Sequence, residues 1–474
     1  MTERRPALTW SDLRGARVGL WGLGREGHAS LRKLRALGVE PVLADDTPPA
    51  DSDGIRVLST GRGGLDALKA CEVVIKTPGI SRYRPEADEL RAAGVTLAGG
   101  LALWLNEADR GRVVCVTGTK GKSTTSAIAG HVLTGLGYKT LVGGNFGAAP
   151  YDPEVAGDYD FWVIEVSSYT ATDLAVTPPV TAVTSLHPDH LPWHGDVERY
   201  YRDKLSATAQ PGADLTIANG DSPLLRERAG LLGPRIEWVS EHDEPAATWL
   251  SPLGLPGGHN RRNALIARRM LTALGITAGD DDLVNQAADD ALLERAAAGF
   301  TPLPSRLTTV GVVDGVTFVD DSLSTNVLPT LAALDAFPGR RVALIVGGQD
   351  RGIDYRPLAD GVLTRDAPTF VLTLPDSGAR ISGAFLAAER NTLARRATVA
   401  VRDCTDLDSA VADAFAWARP EGIVLLSPAA PSFGRFLDYK DRAAHFTAAM
   451  RALPPLSLPN PGLAPAACQE NPSH

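Results

Sequence analysis

The chain has 474 residues, of which 44% are hydrophobic and 22% are charged, as is usual for a soluble globular protein. Its net charge of -9 argues against a general nucleic-acid-binding surface, and no apolar run approaches the ~18 residues of a membrane-spanning helix. Four cysteines without CxxC spacing indicate neither a disulfide framework nor a zinc site. We therefore expect a cytoplasmic protein with no nucleic-acid or membrane partner.

Strand and helix signals alternate over the first 110 residues, which predicts a parallel sheet with helices on its faces. The first strand runs into a G-x-G-x-x-G pattern at 22–27, and Asp45 follows at the end of the second strand. This arrangement is typical of dinucleotide-binding domains. A nucleotide diphosphate at the same helix N-terminus would use the same residues, with Arg25 and the turn at Thr77 as phosphate and base contacts. The kind of nucleotide therefore stays open. The predicted elements are strands at 16–21, 41–44 and 73–76 and a helix at 28–37.

A β-branched apolar run at 113–117 feeds a Gly-rich turn and then a helical pattern from Lys122. Strand, turn and helix N-terminus in this order are typical of a phosphate-binding loop, because the loop N–H groups and the helix dipole favour bound phosphate. Lys122 would reach the outer phosphates, and Ser123 or Thr124 would place a hydroxyl on Mg²⁺. Val116 stands where the strict pattern has its first glycine, so an ordinary Gly-rich turn is the alternative. The candidate loop residues are Gly118, Thr119, Lys120, Gly121, Lys122, Ser123 and Thr124.

Two polar features follow strands of this second series. Glu165 ends an apolar strand, where a carboxylate is well placed to hold Mg²⁺; a solvent-facing carboxylate is the alternative. His187, His190 and His194 follow the next strand and could bind a metal or polarise phosphate, but no complete zinc ligand set accompanies them. A polar histidine-rich loop explains the cluster equally well. The predicted strands are 161–166, 180–184 and 214–219.

A long helical pattern at 260–274 begins with Asn260 and Asn263, which share one helix face. Two side-chain amides on one face suit recognition of an adenine edge, and helix capping by Asn260 alone is the alternative. Two prolines within 300–306 then indicate a linker.

A third α/β series follows the linker. Polar loops come after three of its strands, at 320–326, 347–352 and 427–433. Since ligands bind at the carboxyl ends of strands in open α/β sheets, we expect these loops to converge on one site, although each alone could be an ordinary turn. From residue 453 onward, prolines and small residues predict a disordered tail. The buried-strand candidates are 342–346, 369–374 and 423–426.

Together these motifs resemble those of the Mur ligase family, the ATP-dependent amino-acid ligases of peptidoglycan synthesis, from about residue 15 to about residue 446. The motifs are the phosphate loop, Glu165 with Ser167-Ser168, Asp189-His190, His259-Asn260-x-x-Asn263, Arg306 and Asp321-Ser322. The resemblance implies a three-domain α/β architecture. The expected parts are a Rossmann-like domain for the UDP end of the substrate (1–110), a central P-loop ATPase domain (111–303), a C-terminal α/β domain for the amino acid (304–452) and the tail (453–474).

The resemblance also implies catalytic and metal-binding roles. Lys122 and Ser123 would serve the phosphates of ATP and Mg²⁺, and Glu165 and His190 would hold a second metal. Lys204 matches a lysine that the family carbamylates, and a carbamate would turn this cation into a metal-binding anion. The implied catalytic residues are thus Lys122, His190 and Lys204.

Further residues match substrate positions of the family. The candidates for adenine and ribose are Asn260, Asn263, Arg306 and Asp321. The candidates for the UDP end are Gly24, Arg25, Asp45 and Thr77, and those for the muramoyl-peptide end are Asn145 and Ser167. The candidates for the incoming amino acid are Arg351, Ser432 and Tyr439.

The C-terminal motifs resemble those of the glutamate-adding ligases but depart from the usual D-glutamate pattern. Leu323 and Arg351 stand where that branch has lysines, and Ala430, Pro431 and Tyr439 also differ from it. A guanidinium binds a carboxylate as a fork where an ammonium acts as a point charge, so the exchange at Arg351 is not conservative. The departures resemble a less common branch that adds L-glutamate and relies on a separate epimerase.

We therefore expect a monomeric ligase that uses ATP and Mg²⁺ to add L-glutamate to UDP-N-acetylmuramoyl-L-alanine through an acyl phosphate. The D-glutamate reaction is the nearest alternative. An NAD(P)-dependent oxidoreductase that uses residues 22–27 and a non-catalytic nucleotide-binding regulator are alternatives of other classes.

Overall fold

The structure is a computed structural model, and it describes residues 7–48, 56–277, 283–391 and 399–454. The chain forms two compact units, residues 1–302 and residues 303–474. The break between them falls inside the proline-containing segment 300–306. The predicted disordered tail lies outside the described residues from residue 455 onward.

The first unit begins with a sheet of five parallel strands. Its elements are β1 (Val18–Trp21), α1 (Arg25–Ala36), β2 (Val42–Asp45), β3 (Leu58–Ser59), α2 (Leu65–Lys69), β4 (Val73–Lys76), α3 (Pro85–Ala92), β5 (Thr96–Ala98) and α4 (Gly100–Glu107). The strand order is β3-β2-β1-β4-β5. The carboxyl end of β1 therefore lies between those of β2 and β4, where ligands bind in folds of this kind.

The same unit continues with a six-stranded parallel sheet. Its elements are β6 (Val113–Thr117), α5 (Lys122–Gly135), β7 (Thr140–Gly144), β8 (Phe161–Glu165), α6 (Ser168–Ala171), β9 (Val180–Val183), α7 (Leu191–His194), α8 (Val197–Leu205), β10 (Leu215–Asn219), α9 (Pro223–Glu227), β11 (Arg235–Val239), α10 (Gly258–Ala273) and α11 (Leu283–Ala297). The order is β11-β10-β9-β6-β8-β7. Strand β6 thus lies between β8 and β9, so the segments that follow these three strands are neighbours.

A single apolar cluster joins the two sheets of the first unit. It contains Leu20 of β1, Leu103 of α4, Cys115 of β6 and Ile164 of β8, all at most 1% exposed. Each such side chain contributes roughly 1.5–3 kcal/mol through burial. The predicted division at residue 110 therefore lies within a continuous core and stays a prediction.

The second unit holds a mixed six-stranded sheet. Its elements are β12 (Thr308–Val313), β13 (Val316–Asp320), α12 (Val327–Asp335), β14 (Val342–Val346), α13 (Arg356–Leu363), β15 (Thr369–Thr373), α14 (Gly378–Asn391), β16 (Val399–Asp403), α15 (Leu407–Ala418), β17 (Ile423–Leu426) and α16 (Tyr439–Arg451). The order is β12-β13-β17-β14-β15-β16, and only the edge pair β12–β13 is antiparallel. The central strands β14 and β17 are buried throughout, as expected for parallel strands covered by helices on both faces.

The α/β class predicted from the sequence is confirmed. Helix α1 begins at Arg25, three residues before the predicted start, because the Gly-rich turn ends at Gly24 in extended conformation. Strands β3, β5, β7, β11, β12 and β16 were not predicted. Within the described ranges, no helix combines the length and apolar character needed to span a membrane.

Candidate active site

The loop at residues 118–121 lies between β6 and α5 and depends on two glycines. Gly118 has a φ of +134°, and a Cβ there would lie 2.2 Å from Thr184 Oγ1. Gly121 has a φ of +90°, and a Cβ there would lie 2.8 Å from Asn263 Oδ1. Since only glycine tolerates both the backbone conformation and the close approach, the glycines let the loop lie against these two neighbours.

Hydrogen bonds from the segment after β9 fix the shape of this loop. The backbone N–H of Thr119 donates to Ser185 O at 2.9 Å, and that of Lys120 donates to Ser185 Oγ at 2.8 Å. Thr184 Oγ1 donates to Lys120 O at 2.6 Å, and Lys122 Nζ donates to Thr119 O at 3.2 Å. The loop is therefore held in place at the N-terminus of the 14-residue helix α5, a position that favours phosphate.

Thr184 and Ser185 were not among the predicted site residues. They are hydroxyl residues in a polar segment, and such residues occur in any loop. The available signal was their place directly after β9, the strand beside β6. The adjacency of β9 and β6 is set by the tertiary fold, so the sequence alone does not show that this segment lies beside the loop.

Glu165 is buried beside the phosphate loop. Its side chain accepts hydrogen bonds from Ser123 Oγ at 2.7 Å and from Asn145 Nδ2 at 2.6 Å. Glu165 is 2% exposed and Ser123 is 5% exposed, so the alternative of a solvent-facing carboxylate is wrong. The buried position follows from the place of β8 next to β6 inside the sheet.

The donor set around Glu165 fits Mg²⁺. A carboxylate and a hydroxyl are hard oxygen ligands, and Mg²⁺ is usually bound by one or two carboxylates together with substrate phosphates. The described part of the chain contains no group of three or more His, Cys, Asp or Glu side chains that could hold a metal by themselves. A metal at Ser123 and Glu165 would therefore depend on ligands from the nucleotide.

Lys204 projects from α8 to the phosphate loop. It is 2% exposed, and its Nζ donates to Gly118 O at 3.0 Å. Burial, reinforced by the ammonium of Lys122, lowers the pKa of Lys204 well below its usual value. A lysine in this environment has access to the neutral amine form, the form that reacts with electrophiles such as CO₂.

His190 lies at the mouth of the loop in a left-handed backbone conformation, with a φ of +52°. Its ring is 5.0 Å from the ring of Tyr169, and its Nε2 is 3.8 Å from Asp189 Oδ2. Although 49% of its side chain is exposed, desolvation of the ring lowers the pKa of His190 to about 4 against the opposing charge of Asp189, and Lys204 adds to the lowering. The imidazole is therefore neutral at physiological pH, as a metal ligand must be.

The three histidines do not form one ligand set. The backbone N–H of His187 donates to Thr119 Oγ1 at 3.0 Å, and thereby supports the phosphate loop. His194 is fully buried and makes hydrogen bonds with Ser168 and Asp203. A metal site built from all three histidines is thus excluded, because both ring nitrogens of His194 are held in hydrogen bonds and the described residues contain no group of three such side chains that could hold a metal.

Asn260 and Asn263 lie together in the first turns of α10. The helix begins at Gly258 after Gly257, so Asn260 is inside the helix and the alternative of an N-cap at Asn260 is wrong. Asn260 Nδ2 donates to Pro256 O at 2.8 Å, and Asn263 Nδ2 contacts Asn260 Oδ1 at 3.5 Å. Each is 6% exposed, and Asn263 adjoins Gly121 of the phosphate loop. Their role in adenine binding stays a prediction.

Two candidates for the UDP end support the Gly-rich turn after β1. The carboxylate of Asp45 accepts hydrogen bonds from the backbone N–H of Leu23 at 2.7 Å and of Thr47 at 2.8 Å. Thr77 Oγ1 donates to Trp21 O at 3.4 Å. Both side chains therefore shape the turn, and contacts to a nucleotide stay a prediction.

Arg25 connects the first sheet to the second. Gly24 precedes α1, and from the first position of this helix the Arg25 guanidinium donates to Asn145 O at 2.7 Å. Ser167 caps α6, where its Oγ accepts the N–H of Thr170 at 3.1 Å. The structure thus brings a candidate for the UDP end next to Asn145, a candidate for the muramoyl-peptide end.

In the second unit, the loops after β13, β14 and β17 come together as expected. Ser427 Oγ donates to Asp321 Oδ2 at 2.7 Å, and Gly347 N donates to Pro428 O at 2.7 Å. Burial raises the pKa of Asp321 to about 7. Arg306, in the same unit, is the last residue of the proline-containing segment 300–306. The ribose contacts of Asp321 and Arg306 stay predictions.

The three amino-acid candidates lie around these loops. Arg351 is exposed, its Nε donates to Gln349 Oε1 at 3.0 Å, and its Cζ lies 5.8 Å from the ring centre of Phe433. Ser432 is buried, and Tyr439 is the first residue of α16. A guanidinium, a hydroxyl and a phenol are suitable groups for an amino acid with two carboxylates.

Comparisons of the sequence with known proteins agree with this geometry. Residues 116–251 match the Mur ligase middle domain, and residues 305–430 match the Mur ligase, glutamate ligase domain. A Micromonospora protein named UDP-N-acetylmuramoyl-L-alanine–L-glutamate ligase is 40% identical over 468 residues, which cover 93% of this chain and 98% of the relative. A protein of the same name from Xanthomonas axonopodis is 38% identical over 92% of this chain and 95% of the relative.

Solved structures share the fold at low sequence identity. MurF ligase from Thermotoga maritima in complex with ADP has a TM-score of 0.53 at 16% identity, with 94% of this chain and 98% of that chain covered. UDP-N-acetylmuramate-alanine ligase MurC from Thermotoga maritima has a TM-score of 0.52 at 18% identity, with 92% and 99% covered. These similarities extend to nearly the whole length of all three chains.

Proposed function

The chain belongs to the Mur ligase family, and we propose that it joins L-glutamate to UDP-N-acetylmuramoyl-L-alanine at the expense of ATP, as a step of peptidoglycan synthesis. Relatives 36–40% identical over more than nine-tenths of the chain are named for this reaction and support the choice of substrates. The ATP dependence rests on one observation, the preorganised phosphate loop between β6 and α5 with Lys122 at its end.

ATP would bind along the phosphate loop. Backbone N–H groups at residues 118–121 and the ammonium of Lys122 would neutralise its phosphates. Asn260 and Asn263, beside the loop, would hold adenine. Arg306 and Asp321 would contribute contacts to the ribose. The buried side-chain amides next to Gly121 support the adenine assignment.

Mg²⁺ bound at Ser123 and Glu165 would neutralise phosphate charge at the γ-phosphoryl group. The neutral imidazole of His190 and a carbamate on Lys204 would complete a second cation site. The lowered pKa values of both side chains support this assignment, because a protonated imidazole cannot bind a cation and a protonated amine cannot form a carbamate.

The reaction would proceed in two steps. The carboxylate of the alanine residue takes the γ-phosphoryl group of ATP and becomes an acyl phosphate, with release of ADP. The amine of glutamate then attacks the acyl carbon, and phosphate leaves as the amide bond forms. The chain would contribute mainly positioning and charge neutralisation.

Substrate positioning would be divided among three groups of side chains. The groups are Gly24, Arg25, Asp45 and Thr77 for the UDP end, Asn145 and Ser167 for the muramoyl-peptide end, and Arg351, Ser432 and Tyr439 for glutamate. The hydrogen bond from Arg25 to Asn145 O supports adjacent sites for the first two groups. The guanidinium of Arg351 would receive a glutamate carboxylate as a fork.

We further propose that the enzyme acts in the cytoplasm as a monomer. An L-glutamate product would need a separate epimerase wherever the cell wall contains D-glutamate. D-glutamate is the alternative substrate. An NAD(P)-dependent oxidoreductase is disfavoured by the family membership.

One experiment tests the proposal. The enzyme is incubated with ATP, Mg²⁺, UDP-N-acetylmuramoyl-L-alanine and either glutamate enantiomer, and phosphate release and product mass are measured. We expect phosphate release and a glutamyl product with L-glutamate and much less of both with D-glutamate. A preference for D-glutamate would contradict the enantiomer assignment. Tight ATP binding without amino-acid-dependent phosphate release would instead indicate a regulator.

A further inference from the structure

A chain of hydrogen bonds joins three buried side chains, Ser168, His194 and Asp203, to the partly exposed Tyr83. His194 is 0% exposed and ends α7. Its Nδ1 lies 2.7 Å from Asp203 Oδ2, its Nε2 lies 2.9 Å from Ser168 Oγ, and Tyr83 donates its hydroxyl to Asp203 Oδ1 at 2.7 Å. Because a carboxylate can only accept a hydrogen bond, the Nδ1 of His194 carries a hydrogen and donates a hydrogen bond to Asp203.

The partners of His194 belong to the elements that carry the candidate functional groups. Ser168 is the first residue of α6 and follows the muramoyl-peptide candidate Ser167. Asp203 lies on α8, directly before Lys204. His194 therefore connects the start of α6 to the helix whose lysine reaches the phosphate loop at Gly118 O.

The order Ser168–His194–Asp203 has the hydrogen-bonding pattern of a nucleophilic triad, but its burial excludes that function. Ser168 is 2% exposed and His194 is fully buried, so no substrate carbonyl can approach the hydroxyl. Instead, the polar atoms of each side chain form hydrogen bonds with the neighbouring side chain in the series. Loss of any one of these hydrogen bonds would leave a buried donor or acceptor without a partner, so the arrangement strongly favours one placement of α8.

We propose that His194 is a positioning residue of the ligation reaction, because its hydrogen bond to Asp203 fixes α8, and thereby Lys204, in place at the phosphate loop. This inference rests on the proposed function. It makes no use of a change in protonation. Outer partners that orient metal-binding groups typically change metal affinity or activity by roughly 10–100-fold when they are replaced.

Two substitutions separate the contacts of His194. The amide nitrogen of asparagine can take the place of Nδ1, so His194→Asn keeps the hydrogen bond to Asp203 on α8. The amide of glutamine reaches the place of Nε2, so His194→Gln keeps only the contact with Ser168. His242→Gln, at an exposed histidine, is the matched control. Circular dichroism and thermal unfolding establish that each variant is folded.

Two readouts are measured on the full chain. The first is kcat and KM for ligation as a function of Mg²⁺ concentration. The second needs no turnover: the affinity for a non-hydrolysable ATP analogue is titrated calorimetrically at several Mg²⁺ concentrations. We expect His194→Gln to lower kcat and to raise the Mg²⁺ concentration for half-maximal effect by roughly tenfold or more, with His194→Asn within about threefold of the wild type.

Tyr83→Phe provides a second test at a side chain that is 39% exposed and thus tolerant of replacement. It removes one hydrogen bond to Asp203, and we expect the Mg²⁺ requirement to rise by roughly threefold. If His194→Gln does not fold, this variant decides the question.

Equal losses in the two His194 variants, or lower thermal stability with an unchanged Mg²⁺ requirement, would overturn the inference and leave His194 a purely structural residue. An unchanged Mg²⁺ requirement in Tyr83→Phe would overturn it as well. The proposed function fails separately, since wild-type enzyme would then show no glutamate-dependent phosphate release.

Discussion

Lys122 would supply positive charge to the terminal phosphate of ATP. Its Nζ donates to Thr119 O at 3.2 Å, in the loop between β6 and α5. We expect Lys122→Ala to lower kcat by roughly 10²–10³-fold, because charge that develops on the transferred phosphoryl group loses its partner, and to leave the fold intact. Phosphate release and circular dichroism measure the two effects. Lys139→Ala, at an exposed lysine, should match the wild type, and full activity of Lys122→Ala would contradict the assignment.

Lys204 allows a chemical test of the carbamate. Its buried amine has a pKa well below the usual value and is directed at the phosphate loop. We expect Lys204→Ala to be nearly inactive and to regain part of its activity when formate or acetate is added, because a small carboxylate can take the place of the carbamate. Lys204→Arg, which keeps a cation, should gain nothing from the same additions. Absence of rescue at any carboxylate concentration would leave Lys204 as a cation in the mechanism.

Asp321 makes the stability of the second unit depend on pH. Burial raises its pKa from the usual 3.8 to about 7, so from about pH 4 to pH 7 the unfolded chain loses a proton that the folded chain keeps. The free energy of unfolding therefore falls as pH rises through this window and is constant above it. We expect Asp321→Asn to remove this dependence, which amounts to roughly 1–4 kcal/mol.

Hydrogen exchange of the amides in β13 and β17, measured at pH 5 and pH 7.5 and corrected for intrinsic rates, reports on this unit alone. Asp408→Asn, at an exposed residue of the same unit, should leave the pH dependence as in the wild type. A pH dependence that persists in Asp321→Asn would assign it to another group.

Helix α16 organises the loops of the second unit through one side chain. Arg442 is 0% exposed and donates to Ser322 O at 2.8 Å and to Ala430 O at 3.2 Å, thus to the loops after β13 and β17. We expect Arg442→Met to cost roughly 2–4 kcal/mol of stability, since two buried carbonyl groups lose a charged donor, and to raise the KM for glutamate more than that for ATP.

Thermal unfolding and steady-state kinetics measure these effects. Arg451→Met, at the exposed end of the same helix, is the control and should change neither quantity. Equal increases in both KM values would mean that Arg442 supports the unit as a whole and has no particular role in the glutamate loops.

The elements that could be predicted from the sequence are those whose pattern is local. Strands β14 and β17 are continuous apolar runs, and β4 is apolar up to its last residue, Lys76; the predicted bounds of all three agree with the structure. Edge strands give weaker signals: β3 has two residues, and β16 has no fully buried residue. Such strands form because a neighbouring strand offers hydrogen bonds, and the sequence does not display that neighbour.

The same distinction applies to the candidate site. The phosphate loop and Glu165 could be predicted, because contiguous residues carry the chemical pattern. The hydrogen-bonded chain of Tyr83, Ser168, His194 and Asp203 could not be predicted, because its members come from distant segments. None of these residues stands out in the sequence by itself. The sequence identified His194 only as one of three histidines, and its separation from His190 results from the short helix α7.

At the scale of the molecule, the first unit acts as one body because its two sheets are linked by polar contacts as well as by an apolar core. Lys76, at the end of β4, pairs with Asp173, which follows α6, at 2.7 Å. The side chains are 1% and 8% exposed. Arg25 adds a hydrogen bond to Asn145 O, and Tyr83 adds one to Asp203 Oδ1. These contacts therefore fix the position of the candidate site for the UDP end relative to the candidate phosphate loop for ATP.

The buried pair predicts a large difference between single and double substitutions. Lys76→Met leaves the carboxylate of Asp173 buried without its partner, which should cost roughly 3–5 kcal/mol. Lys76→Met with Asp173→Leu removes both charges, and we expect it to recover most of that loss, since an apolar pair needs no compensation for desolvation. Urea unfolding followed by tryptophan fluorescence gives the free energies of this double-mutant cycle.

Arg17 and Glu72 provide the contrast within the same sheet. Their side chains are 75% and 60% exposed and 3.8 Å apart, so Arg17→Ala should change stability by less than about 1 kcal/mol. If Lys76→Met cost no more than Arg17→Ala, the two sheets would be held together by their shared core alone. If instead the double variant stayed as unstable as Lys76→Met, the ion pair itself would be the stronger link, because its removal could not be compensated by apolar packing.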